Sequence, residues 1–224
     1  MKIAEINKLI KHHLHPKLEN YHVNRDFIYK VQDNFFLKGY AFESTGNGEY
    51  DLAVWCFIQP LFVKSDCLYF NFGDRLKHKK KVDVLRTKKL EWWDATKEKL
   101  DDSFQSILKS ILNDGEKYLN LFKTPEDFYN KFKSDRKEDI RKYEAVTYTT
   151  ILLNNEALQN KMLKGLIEFS LKKINRDDEI IDEIREDATL LLNADTKEKR
   201  LEILKNWANE TLRHLKLPDM PQLL

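Results

Sequence analysis

Hydrophobic and polar positions change their period along this chain. Over residues 1–18, Ile3, Ile6, Leu9, Ile10 and Leu14 recur at spacings of mostly three and four, with Pro16 near the end. That spacing predicts an amphipathic helix. From Phe27 onwards the signal becomes extended. Four short segments, Phe27–Val31, Phe35–Phe42, Tyr50–Gln59 and Leu68–Phe72, are rich in aromatic and β-branched residues, the composition of strands. Gln32-Asp33-Asn34 separates the first two, and a stretch holding Gly46 and Gly48 separates the second and third. Both are turn chemistry, and short connections predict an antiparallel four-stranded meander. In the third segment Tyr50, Leu52, Val54, Cys56 and Ile58 fall on one face, and Ala53, Trp55 and Phe57 on the other. Apolar residues on both faces predict a central strand, covered on both sides or keeping one side as a binding surface.

From about residue 82 the pattern reads as helical. Leu90, Trp93, Lys97, Leu100, Phe104, Ile107 and Ile111 form a stripe broken only by Lys97. Thr124-Pro125-Glu126-Asp127 combines a cap, a first-turn proline and two acids, a helix start. Further helices are expected over 135–153, 155–174 and 177–192, and a last one opens at Asp195-x-x-Glu198 and runs to Leu215. The paired spacing raises an α-solenoid, but no landmark residues recur at constant intervals, so a compact bundle is expected. The expected fold is therefore α+β: an N-terminal helix, a four-stranded antiparallel meander, then a bundle of about six helices. The expected division is 1–80 for helix plus sheet and 81–224 for the helical region, with one continuous domain as the alternative.

Charge adds little at the level of the whole chain. Thirty-nine Lys+Arg against 37 Asp+Glu leave a net charge of +2, which is not the balance of a dedicated nucleic-acid-binding domain. Six Gly and five Pro exclude collagen-like and linker-rich architectures. No apolar run reaches the roughly 18 residues that cross a bilayer. The N-terminus lacks the pattern of a signal peptide. A soluble cytoplasmic protein with no membrane contact is expected. Cys56 and Cys67 fall on what read as neighbouring strands but out of register, so both are expected to be buried and reduced.

Locally, charge is more informative. Arg75, Lys77, Lys79, Lys80, Lys81, Arg86, Lys88 and Lys89 lead into Trp92 and Trp93. Clustered cations beside aromatics are the residue types that hold phosphates and stack on bases. Asp74, Asp83, Glu91 and Asp94 offset the run, so a solvated loop and helix face is its leading reading, ahead of nucleic acid and of an acidic protein partner. An acidic stretch, Asp177, Asp178, Glu179, Asp182, Glu183, Glu186 and Asp187, mirrors it later in the chain. His12, His13, His15 and His22 attract attention as metal ligands, but no third ligand stands at the right spacing and the Glu of a HExxH pattern is missing. No metal and no cofactor is expected. Glu-x-Lys on a strand, G-x-S-x-G, Walker and G-x-G-x-x-G patterns are all absent from the sequence.

Three functional expectations remain. The leading one is a non-enzymatic protein-binding module, an adaptor, inhibitor or immunity-type protein, that uses sheet aromatics and charged helix faces against a protein partner. The second is a nucleic-acid-associated protein that uses the Lys77–Lys89 segment. The third is an enzyme whose site lies near the sheet rim, at Asp51, Gln59, Asn71, Asp74, Arg75 and Glu91.

Overall fold

The computed structural model describes residues 2–32, 35–44, 50–83, 86–90, 92–135, 139–153, 155–172 and 179–218, and of 78–83 and 86–90 the backbone alone is described. Glu91, Asp177 and Asp178 lie outside the described residues. The α+β layout is as the sequence predicts: an N-terminal helix, an antiparallel sheet, then helices. The chain divides into two compact units, Met1–Gln59 with Tyr69–Leu121, and Pro60–Leu68 with Phe122–Leu224.

The first unit opens with α1 (Ile3–Leu9), continued by a π turn over Ile10–Leu14 and a 3-10 turn over His15–Lys17. A six-stranded sheet follows, ordered β1 (His22–Asn24), β2 (Phe27–Gln32), β3 (Phe36–Ser44), β4 (Asp51–Pro60), β5 (Gly73–Arg75), with β8 (Trp93–Asp94) also on β4. Between β5 and β8 the chain forms a separate two-stranded ribbon, β6 (His78–Asp83) with β7 (Arg86–Leu90). The helix α2 (Leu100–Ser110), a π turn over Ile111–Gly115 and α3 (Glu116–Leu119) complete the unit. Ile6, Ile10 and Leu14 of the first helix, Phe104, Ile107 and Ile111 of the second, and Tyr40, Phe42, Leu52, Val54 and Cys56 of the sheet form one buried cluster. The alternation of β4 thus works as predicted on this face, and Ala53 and Phe57 on the opposite face are buried too.

Two sequence expectations need correction here. Leu68–Phe72 is not a strand; the strand is Gly73–Arg75. Its aromatic residues serve packing instead: Phe70 stacks on Trp55 at 5.0 Å and meets Phe57 edge-on at 5.8 Å. The helical stripe from Leu90 is also wrong before Leu100. The backbone over 86–90 is strand, and Trp93 pairs with Leu52 at the sheet edge. Trp93 is buried, and its indole N–H donates to Ser106 Oγ at 3.1 Å.

In the second unit the helices are α4 (Pro125–Phe132), α5 (Ile140–Leu152), α6 (Glu156–Leu171), α7 (Glu179–Asn193) and α8 (Lys197–His214). Their starts are where cap chemistry puts them. Thr124 Oγ1 accepts from Asp127 N at 3.2 Å while the Asp127 carboxylate accepts from Thr124 N at 2.9 Å, a reciprocal box with Pro125 at the first helical position. Asp139 accepts from the N–H groups of Arg141 and Lys142, and Asn155 from that of Leu158. The last helix is capped by Thr196, which accepts from Lys199 N at 3.2 Å, one residue later than the Asp195 start predicted. Pro60–Leu68 belongs to this unit. Leu61, Phe62 and Val63 are fully buried, and Ser65 N–H and Val63 C=O are both bonded by Thr211 Oγ1. Cys67 is exposed and Cys56 buried, and no disulfide joins them, so the expectation that both are buried fails at Cys67.

Candidate functional site

The basic segment of the sequence becomes the β6–β7 ribbon. Its ladder sets Lys79 opposite Lys89, Lys80 opposite Lys88, Lys81 opposite Thr87 and Asp83 opposite Arg86, with an irregularity between Lys81 and Asp83. An extended chain alternates faces and cross-strand partners share one. Residues 79, 81, 87 and 89 therefore take one face and residues 78, 80, 88 and 90 the other. Each face holds a lysine pair at directly opposed positions. Like charges in that arrangement cost an isolated ribbon stability. Residues 78–90 hold six Lys+Arg and one acid, Asp83, so the ribbon is a local concentration of positive charge on a nearly neutral chain.

The remaining candidates separate into those near this ribbon and those consumed by the fold. Lys77, just before β6, is exposed, and its carbonyl accepts from Ser110 Oγ at 3.4 Å. Trp92, two residues past β7, is 42% exposed, whereas its neighbour Trp93 is 2% exposed. Arg75 is tied into the sheet: its guanidinium reaches Glu43 at 2.6 Å and lies 4.9 Å from the Trp55 ring centre. Asp94 is held down to about 2 by the Lys99 ammonium at 2.7 Å and the Thr96 N–H, so it is ionised throughout the physiological range.

Of the described residues considered for catalysis, Asp51, Gln59 and Asn71 lie outside the cleft that Asp74 and Arg75 line. Gln59 is buried and accepts from Tyr69 N at 3.4 Å, Asp51 pairs with Asp94 across β4 and β8, and Asn71 sits in an exposed turn. Asp74 and Arg75 do line a cleft of about 180 Å³ with Lys77, Asp114, Tyr118 and Cys56. Burial pushes the Cys56 thiol up, so it stays protonated and weakly nucleophilic at neutral pH. Among the described residues no three His, Cys, Asp or Glu side chains are grouped to hold a metal ion. His13 instead stacks on Phe104 at 4.9 Å and faces Asp101 at 3.7 Å.

The acidic stretch is partly used within its own unit. Lys64 Nζ reaches Glu183 at 3.0 Å and Asp187 at 2.8 Å and lies over the Trp207 ring, and Arg185 pairs with Asp182 at 2.7 Å. Lys38 and Glu144 are among the buried polar residues that had no sequence signal. Lys38, 2% exposed on β3, donates to Gln32 Oε1 and to the Leu119 carbonyl at the end of α3. Glu144, 1% exposed on α5, pairs with Arg141 at 2.9 Å. Such burial is tolerable only with a partner; the one at Leu119 is distant in sequence from Lys38, whereas Arg141 lies one helical turn from Glu144.

Among the described residues no helix is long and apolar enough to cross a membrane. The chain matches no protein-family model, no curated protein and no solved structure.

Proposed function

We propose that this chain is a binding protein whose docking element is the β6–β7 ribbon and whose ligand is the phosphate backbone of a nucleic acid. The observation that carries this reading is the register, in which Lys79 and Lys80 stand opposite Lys89 and Lys88. Phosphates are the ligand that turns such opposed lysines from a cost into a gain, because each neutralised phosphate also releases condensed counterions. The sheet aromatics, the other surface the sequence suggested for a partner, support it less: Phe57 is fully buried, and Trp55 is engaged by Phe70 and Arg75. A protein partner would have to present a comparably dense acidic surface to the same ribbon.

The test is charge reversal on the ribbon. Lys79→Glu with Lys89→Glu is expected to weaken binding of a labelled oligonucleotide by at least roughly tenfold at about 50 mM salt. Reversing Lys161 and Lys164, exposed on α6, changes net charge by the same amount and is expected to leave binding nearly unchanged. Equal losses in both variants would reduce the effect to net charge and contradict the reading. A stoichiometric protein partner that survives nuclease treatment, and is lost on the same ribbon reversal, would replace nucleic acid with an acidic protein.

A further inference from the structure

Resting on the ribbon reading above, we infer that the ligand is single-stranded, with the Trp92 indole as the platform on which an unpaired base stacks beside the ribbon. Trp92 follows the last ladder position, Leu90 opposite His78, by two residues. It lies at the ribbon end where Lys77 is also exposed. The next residue fixes its place. Trp93 is buried, its backbone is paired with Leu52 of the sheet, and its indole N–H is bonded to Ser106. Asp94 then accepts from the Thr96 N–H and the Lys99 ammonium, closing the turn behind it. An exposed aromatic whose backbone is anchored this firmly loses little freedom when a base stacks on it, and that lowers the entropic cost of binding.

Two features favour a single strand over a duplex. A base stacks on an indole only when one of its faces is open, and in a duplex opening it costs a few kcal/mol of unstacking. The lysine pairs also lie on both faces of the ribbon. A ribbon seated in a duplex groove turns one face to base edges, which leaves the lysine pair of the other face pointing out of that groove. A flexible strand can follow phosphate contacts around either face, and the cationic track beside an aromatic is the usual construction of single-strand sites.

The experiment titrates the full chain with an oligothymidylate of roughly 16 nucleotides, and with the same strand paired to its complement. Binding is followed by a label on the nucleic acid and by tryptophan emission. The expected result is tighter binding of the single strand, quenching of tryptophan emission, and loss of that quenching in Trp92→Phe. Trp92→Ala is expected to weaken single-strand binding roughly 5- to 150-fold and to leave duplex binding unchanged. Trp92→Phe keeps an aromatic face at the same place and is expected to bind within a few-fold of the parent, separating lost stacking from lost folding. Duplex bound as tightly as single strand, with Trp92→Ala without effect, would overturn this inference and leave the ribbon reading standing. Salt-independent binding, or none, to either form would overturn both.

Discussion

Gly39→Ala is expected to destabilise the sheet unit by about 3 kcal/mol or more. Gly39 sits in β3 opposite Tyr29 of β2. A Cβ built there would stand 2.0 Å from the Ile28 carbonyl oxygen and 2.9 Å from the Tyr29 Cα. Both obstacles are main chain of the neighbouring strand, so no rotamer change relieves them and the two strands must move apart. That breaks ladder hydrogen bonds flanked by Tyr40, Leu37 and Ile28, which are all fully buried. For a chain of this size each kcal/mol shifts the midpoint by about 2–4 °C, so thermal unfolding followed by circular dichroism should show a drop of at least roughly 6 °C. Gly165→Ala is the internal comparison. Its Cβ would meet the Tyr143 hydroxyl at 2.6 Å, the far end of a side chain. The site is also helical, where alanine is preferred to glycine, so the change should be small. A Gly39→Ala protein as stable as the parent would mean that the β2–β3 register is not the one described.

The second large effect is a pH dependence set by Glu144. Burial pushes its carboxyl from the ordinary 4.5 up to about 7, against the opposing pull of Arg141; Asp187 and Glu183 push it further up. Asp187 is itself raised, by burial first, and is held by Lys64. The Tyr148 hydroxyl, also raised by burial, stays protonated in this range and donates to the Ile184 carbonyl. A carboxyl raised in the folded state binds its proton more tightly there than in the unfolded chain. The resulting stability is complete below about 4.5 and is lost as pH rises to about 7, a change of about 3 kcal/mol. Glu144→Gln removes this titration and keeps the shape. The stability difference between Glu144→Gln and the parent, from denaturant unfolding at several pH values, should therefore move by about 3 kcal/mol in favour of the variant between pH of about 4.5 and about 8. A difference that stays flat with pH would show that Glu144 titrates alike in the folded and unfolded chains, the push of burial being cancelled by Arg141.

How far the sequence revealed this molecule depended on whether an element's determinants were local. The amphipathic start through Leu14, the alternating strand through Val54 and Cys56, and the cap at Thr124 each carry their signal within a few residues, and each element forms there. The Leu68–Phe72 segment misled because aromatic residues that fill space against Trp55 and Phe57 have the same composition as a strand. The ribbon was missed for the opposite reason. Its lysines occupy both faces, so the apolar alternation that marks a half-buried strand is absent, and the spacing from Leu90 to Trp93 imitated a helical turn. The interruption at Lys97 was the one local hint that the helix starts later, at Leu100. Of the candidate site, the charge was legible and its geometry was not: the sequence offered a run of cations, and only the ladder register turned it into opposed pairs. The apolar stripe set Trp93 apart from Trp92 through a helix that does not form there; long-range pairing with Leu52 and Ser106 is what separates the anchored ring from the exposed one.

The measurement that bears most directly on the ribbon as a nucleic-acid site is the salt dependence of oligonucleotide affinity for the unmodified full chain. If the ribbon lysines and their neighbours neutralise about four to six phosphates, single-strand affinity should fall roughly 50- to 300-fold between about 50 mM and about 200 mM salt, linearly on logarithmic axes. An affinity that changes less than about threefold over that range would mean that fewer than two phosphates are engaged, and the ribbon would not be a nucleic-acid site.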